Sequence, residues 1–267
     1  MSASAANGET ANAQTSKAQT SNAQRASYEI QGRTVTMPVE VRDASAATAS
    51  YLVDADVARG FLPGSELDVL ELLPGRAVLS VGCIDYRDND LGDYNEISIA
   101  FFVRERSESK GFPVLGPIRD VVSGNVATYI HRLPVNQAFT CEAGCRIWGF
   151  PKVVNEIEIR SESGRVVCDW SIEGRPVFRF STPRSGKRTL PDRTLVTYTH
   201  IEGVPHKTAF SSGSEGAGFG LGGAEIELGS HPIADEFRVL GLPKRALMTV
   251  WMEHMHGRFE APQKLEP

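Results

Sequence analysis

Large apolar residues in this chain recur mainly at alternate positions, in short runs punctuated by Gly, Pro, Ser and Asp. Ile97, Ile99, Phe101 and Val103 show this most plainly, with the two-residue period of a β-strand over 96–104. Further strands are predicted at 34–41 (a strand pair or one bent strand), 50–53, 67–73, 77–86, 195–201 and 224–228. Pro74-Gly75 supplies the turn between 67–73 and 77–86. From Val153 the chain reads as a meander over 153–160, 165–172 and 176–181, with turns at 161–164 and at Glu173-Gly174. Connections this short join antiparallel strands, because a parallel crossover needs a dozen or more residues.

Helical signals are sparse. Asp54 is placed to cap a short helix ending at Arg59, ahead of Gly60 and Pro63. Ser230 before, and Gly241 and Pro243 after, frame a second helix over 232–240. A third is expected near 118–131, although 125–129 suits either helix or strand. The pattern predicts one α+β domain over 28–267, predominantly antiparallel β, with a closed or barrel-like sheet and a few short helices. Residues 1–27 are nearly all small or polar, so a disordered low-complexity leader is expected there.

Composition narrows the function classes. A formal charge of −5 with scattered basic residues argues against a phosphate-tracking surface, so nucleic acid is not an expected partner. No stretch reaches the roughly 18 apolar residues of a membrane span, and the N-terminus has no apolar signal core. Cys83, Cys141, Cys145 and Cys168 are too few for a disulfide framework, and Cys141/Cys145 lacks a second pair to complete a zinc site. Reduced cysteines and a cytoplasmic location are expected.

The candidate chemistry centres on Glu142-Ala143-Gly144-Cys145-Arg146-Ile147-Trp148-Gly149-Phe150-Pro151-Lys152. This bulky, Pro-locked run delivers one lysine into a strand-like continuation. An ordinary lysine has a pKa near ~10.4, so roughly one in a few thousand is neutral at pH 7. Burial among Ile, Trp, Phe and Val disfavours the ammonium and frees the amine, which can then attack a carbonyl to form a Schiff base. A surface lysine opening a strand is the competing reading of the same spacing.

Other features carry less. Asp85, Asp88, Asp90 and Asp93 resemble a calcium loop only loosely, lacking the glycine and distal glutamate, and suit a hydrogen-bonded turn. Glu253, in the apolar run 247–255, is expected either on an exposed edge or with a raised pKa as a proton donor. His254 and His256 share a side of an extended segment without an evident third ligand. Gly218-Phe219-Gly220-Leu221-Gly222-Gly223 satisfies a dinucleotide pattern but precedes a strand, so a mobile loop is expected there. No Gly-x-Ser-x-Gly elbow is present.

The run 144–152 resembles the motif around the Schiff-base lysine of the acetoacetate decarboxylase family. The likeness extends to Tyr51-Leu52-Val53-Asp54 through Leu62-Pro63, to Gly92-Asp93-Tyr94-Asn95-Glu96, and to Ser230-His231-Pro232-Ile233-Ala234-Asp235. It thus spans nearly everything from Tyr28 to His256. The resemblance implies Lys152 as the imine-forming residue, Glu96 as the retained glutamate that moves protons, and Arg42 as the arginine for the substrate carboxylate. It also implies a homo-oligomer that needs no metal or organic cofactor.

Two positions depart from the family pattern. Val153 stands where the decarboxylase, a standard example of a lysine activated by desolvation or a neighbouring cation, has a second lysine. A second family glutamate falls near Ser80. Burial alone is then expected to lower the Lys152 pKa, unless an arginine substitutes.

The function implied is a Schiff-base lyase, first as a decarboxylase of a small 3-oxo acid such as acetoacetate. Lys152, Glu96 and Glu253 would be catalytic and Arg42 substrate-binding. Aldolase–dehydratase chemistry on a pyruvate-type 2-oxo acid, and a non-catalytic barrel binding an apolar carbonyl ligand, remain open alternatives.

Overall fold

Seven of the alternating segments close on themselves in the computed structural model, which describes residues 26–64, 66–107 and 126–265. The chain opens with a hairpin, β1 (Ser27–Ile30) and β2 (Arg33–Thr36), before the long strand β3 (Val39–Asp54). Helix α1 (Ala55–Arg59) follows, then β4 (Leu67–Val69), β5 (Glu71–Leu73), β6 (Arg76–Asn89) and β7 (Tyr94–Glu105). After these come β8 (Ala127–Val135), helix α2 (Ala138–Trp148) and β9 (Lys152–Val154). A meander, β10 (Glu156–Glu162), β11 (Arg165–Ile172) and β12 (Arg175–Pro183), leads into the long hairpin β13 (Arg188–Ile201) and β14 (Val204–Gly220). The chain finishes with β15 (Glu225–Leu228), helix α3 (Ile233–Val239), β16 (Met248–Phe259) and β17 (Gln263–Lys264).

The barrel runs β7-β6-β3-β16-β14-β13-β8, and β8 pairs back onto β7. Its pairings are antiparallel except β13 with β8, and β9 adds a second parallel pairing on β8. The sheet is therefore closed, mixed and mostly antiparallel. A separate antiparallel sheet, β10-β11-β12-β15, covers one side of the barrel wall.

This cover explains the strict alternation of 96–104. Ile97, Ile99, Phe101 and Val103 point out of the barrel, into a core shared with Trp170, Phe178 and Phe180 of the second sheet. Their neighbours Glu96, Ser98 and Ala100 point inward. β3 repeats the arrangement, with Ala47, Ala49, Tyr51 and Val53 outward and Ala44 and Ala46 inward. Both faces of these strands are buried, each by a different partner.

Helix α1 forms as the capping signal predicts: the Asp54 carboxylate accepts from the backbone N–H groups of Asp56 and Val57. Helix α3 lies within the predicted 232–240. Helix α2 is an addition to the predicted set. Its buried positions Phe139, Thr140, Ala143, Gly144, Ile147 and Trp148 recur with helical spacing, which the Pro-locked reading of 142–152 overlooked. Gln137 caps it by accepting from Thr140 N, and Gly149 ends it in the left-handed region at φ 66°. A side chain at Gly149 would also collide with the His200 carbonyl, 2.4 Å from the position of a Cβ.

Two expectations change, and a third lies almost wholly outside the described residues. The stretch 127–131 is strand, and the rest of the helix expected near 118–131 lies outside the described residues. Gly218, Phe219 and Gly220 belong to β14, paired with Trp251, Val250 and Thr249, rather than to a loop. The leader expected over 1–27 lies outside the described residues up to residue 25. No described helix is long and apolar enough to cross a membrane.

Candidate active site

Lys152 enters the barrel interior beside α2, whose Phe139, Ala143, Ile147 and Trp148 pack in the same inner core. β9 hangs on the barrel through the pairing of Leu133 with Lys152, and Lys152 is buried while Val153 and Val154 are about half exposed. The lysine stem crosses α2 at Gly144, where a Cβ would lie only 2.5 Å from Lys152 Cδ. A mid-helix glycine costs about 1 kcal/mol relative to alanine, and here it opens the passage that the stem occupies.

Inside, Lys152 Nζ lies 2.8 Å from Glu96 Oε2, with both side chains under a tenth exposed. The ammonium also donates to Thr140 Oγ1 at 3.0 Å and sits 4.9 Å from the centroid of the Tyr94 ring. Tyr86 donates its hydroxyl to Glu96 Oε1 at 3.4 Å and stacks on Tyr94 with centroids 4.5 Å apart. The group comes from four elements: β6 brings Tyr86, β7 Tyr94 and Glu96, α2 Thr140, and β9 Lys152.

Burial pulls the Lys152 ammonium toward its neutral form, but the Glu96 carboxylate and the Tyr94 hydroxyl together outweigh it and raise the pKa. This corrects the expectation that burial alone lowers it. Burial pushes the Tyr94 phenol up, with the nearby Lys152 charge opposing. It pushes Tyr86 up further, with Glu96 adding to the effect. Both phenols are therefore hydrogen-bond donors at neutral pH.

The pair faces a cavity of about 210 Å³ within the barrel. Its lining is small or hydroxylated along β3, β6 and β7 (Ala46, Thr48, Ser80, Gly82, Ser98, Ala100) and mainly bulky and apolar opposite, where Thr128, Thr197 and Ser212 add hydroxyls. Ser80, where the family resemblance implied a second glutamate, lines this cavity with a hydroxyl.

The structure does not bring Glu253 and Arg42 to this site. In β16 Met252 points inward and Glu253 outward, and a bulge then brings Met255 inward as well. There Glu253 forms a two-pronged ion pair with Arg184 and accepts from Trp251 Nε1 at 3.0 Å. Hydrogen bonding to Arg184 lowers its pKa against the opposing effect of burial, the reverse of what a neutral proton donor needs. Arg42 is half exposed and bonded to Asp88 at 2.8 Å and Asp90 at 2.7 Å. Asp43 and Asp85 similarly surround Arg87, so Asp85, Asp88 and Asp90 of the acidic cluster are each paired with an arginine. Among the described residues no group of three or more His, Cys, Asp or Glu is disposed to hold a metal ion.

Sequence reasoning missed Tyr86, Tyr94, Thr140 and Gly144. Thr140 and Gly144 stand four apart, and a helical reading of 138–148 would have put them on one face. Tyr86 and Tyr94 are linked by strand register, which the sequence does not display.

Comparison with known proteins bears on the fold and the family. No curated protein matches the sequence significantly. Among solved structures, acetoacetate decarboxylase from Legionella pneumophila subsp. pneumophila str. Philadelphia 1 is similar over 86% of this chain and 87% of its own, with 16% identity and a TM-score of 0.61. MppR, an enduracididine biosynthesis enzyme complexed with pyruvate, is similar over 86% of this chain and 90% of its own, with 18% identity and a TM-score of 0.56. An acetoacetate decarboxylase-like enzyme from Sphingomonas wittichii RW1 covers 88% of this chain and 96% of its own at 18% identity, with a TM-score of 0.52. The family model for acetoacetate decarboxylase matches residues 24–257, and the chain belongs to that family.

Proposed function

We propose that this protein is a Schiff-base lyase that decarboxylates a 3-oxo acid through Lys152. The observation that carries the reading is the buried Lys152–Glu96 pair, 2.8 Å apart, facing an otherwise largely apolar cavity. In the resting site the lysine holds the proton, so the nucleophile must be generated within the pair. Transfer of that proton to Glu96 leaves a neutral amine and a neutral carboxyl. A substrate that expels water from the cavity favours this exchange, because two buried charges lose their solvation.

The amine then adds to the ketone carbon, forming a carbinolamine. Glu96 returns its proton to the departing hydroxyl, water leaves, and an iminium stands beside the Glu96 carboxylate. The bond between C2 and the carboxylate carbon breaks next. CO2 departs, and its electron pair moves through C2 to the iminium nitrogen, giving a neutral enamine. Protonation at C2 and addition of water release the methyl ketone and free Lys152. The Tyr86 hydroxyl donates to Glu96 and the Thr140 hydroxyl accepts from the ammonium, so both orient the pair. Val153 points away from the pair, so this divergent site works with one lysine, and Glu96 controls its protonation.

A second reading draws on the likeness to MppR complexed with pyruvate: aldol–dehydration chemistry through the same imine on a 2-oxo acid. A third is a non-catalytic barrel holding an apolar carbonyl compound. Incubation with acetoacetate or pyruvate, followed by borohydride reduction and mass mapping, is expected to add the reduced substrate at Lys152. No added mass at Lys152 would sink both enzyme readings. Trapping without CO2 release from acetoacetate would favour the 2-oxo acid chemistry.

A further inference from the structure

We propose that the substrate is a 3-oxo acid carrying an aryl or branched apolar tail, and that the tail lies in the barrel interior beyond Glu96. The proposal rests on the Schiff-base reading above and specifies what that site accepts. Strand register supplies the first argument. Glu96 shares its layer with Ile84 and Ala46. One layer further along the same strands stand Thr48, Gly82 and Ser98, and Ser80 stands beside Ala100 one layer beyond that. A barrel of about eight strands is just wide enough for side chains to fill. Here two successive layers of β6 and β7 present Gly, Ser and Ala, so the interior is left hollow on that side.

The opposite wall supplies the second argument. Met252 and Met255 project inward from the bulged stretch of β16, beside Phe210 and Phe259, whose rings stack with centroids 4.1 Å apart. Methionine and aromatic walls adapt to flat or branched apolar groups. Lys152 is the sole cationic side chain among the described residues lining the cavity. No further cation there would pair with a second negative charge on the tail.

Size is the third argument. An apolar cavity of about 150 Å³ holds benzene. The ≈ 210 Å³ here accommodates a ring together with part of the reacting 3-oxo acid. Acetoacetate, whose tail is one methyl group, would leave the far end unfilled. Each buried methylene contributes about four-fold in affinity, so an aryl tail that buries the equivalent of a little over three methylenes more than a methyl is expected to gain about 100-fold.

The chemistry is unchanged by the tail: the C2–carboxylate bond breaks, CO2 leaves, and its electron pair passes to the iminium before C2 is protonated. The test compares benzoylacetate with acetoacetate on the full-length protein, measuring CO2 release and borohydride trapping at Lys152. A kcat/KM ratio of about 100 in favour of benzoylacetate is the expected result. Trapping of both at Lys152 with a ratio near or below one would overturn the tail assignment and leave the Schiff-base reading standing. Trapping of neither would overturn both. Ser98→Leu, which fills the hollow layer, is expected to reduce the benzoylacetate-to-acetoacetate ratio at least ten-fold, about one large side chain's worth of space. An unchanged ratio in that variant would place the tail elsewhere.

Discussion

The two faces of the barrel wall are built from the same strands and serve opposite ends. Outside, against the second sheet, Trp170 and Phe178 meet edge to face at 5.3 Å, and Phe178 meets Phe237 at 5.4 Å. Inside, the same strands present Gly82, Ser98 and Ala100 around a cavity and hold one buried ion pair. The outer core is filled; the inner one is left open where the chemistry is proposed. A barrel without the outer sheet would have to fill its interior for stability. With the sheet in place, packing on the outer face supports the strands and releases inward positions for a ligand.

The sharpest way to break this comparison is to empty the outer core. Phe178→Ala is expected to cost roughly 3–5 kcal/mol in chemical denaturation. The folded fraction should still trap substrate at Lys152. Loss of trapping in a fraction that remains folded would show that the two faces are coupled.

Disturbing the inner face should show another signature. Lys152→Met strands a buried carboxylate, and about 3 kcal/mol of stability is expected to go with it. Adding Glu96→Gln removes that charge, so the double variant is expected to be more stable than Lys152→Met alone. A double variant less stable than the single would mean that the carboxylate is not held against burial.

The finest test concerns the proton. Glu96 and Tyr94 raise the Lys152 pKa against burial. In Glu96→Gln the opposing effect of burial gains weight, so the pH midpoint for imine trapping should fall relative to the parent. The linkage has the same sign. A lysine raised in the folded state stabilises the fold fully below its ordinary 10.5, and that contribution fades as pH rises through the folded value. Glu96→Gln should weaken this alkaline loss of stability in pH-jump unfolding. A midpoint that stays put would show that Glu96 does not hold the lysine's proton.

Much of this architecture was legible in the chain. Alternation located most strands, Asp54 marked its helix cap, and Lys152 was singled out by the bulky run before it. Glu96 was also legible, as a carboxylate at the head of an alternating strand. The direction of the faces was not. The alternation of Ile97, Ile99, Phe101 and Val103 marks one apolar face without saying where it points, and they face out of the barrel into the core shared with the second sheet. Of the two places expected for Glu253, the structure selects the outward one, where it follows Trp251 by plain alternation. A two-residue period carries no record of the bulge between Met252 and Met255, which brings Met255 inward.

By itself the sequence determined the β-rich fold class, the family likeness and the candidate lysine, because periodicity, caps and local motifs are written in neighbouring residues. The tertiary structure alone decided which carboxylate meets that lysine, and hence the direction of its pKa. It also decided that Gly144 makes room for the lysine stem and that the small residues of β6 and β7 enclose a cavity. These are relations between segments far apart in the chain, set by strand register and barrel closure, and no local pattern encodes them.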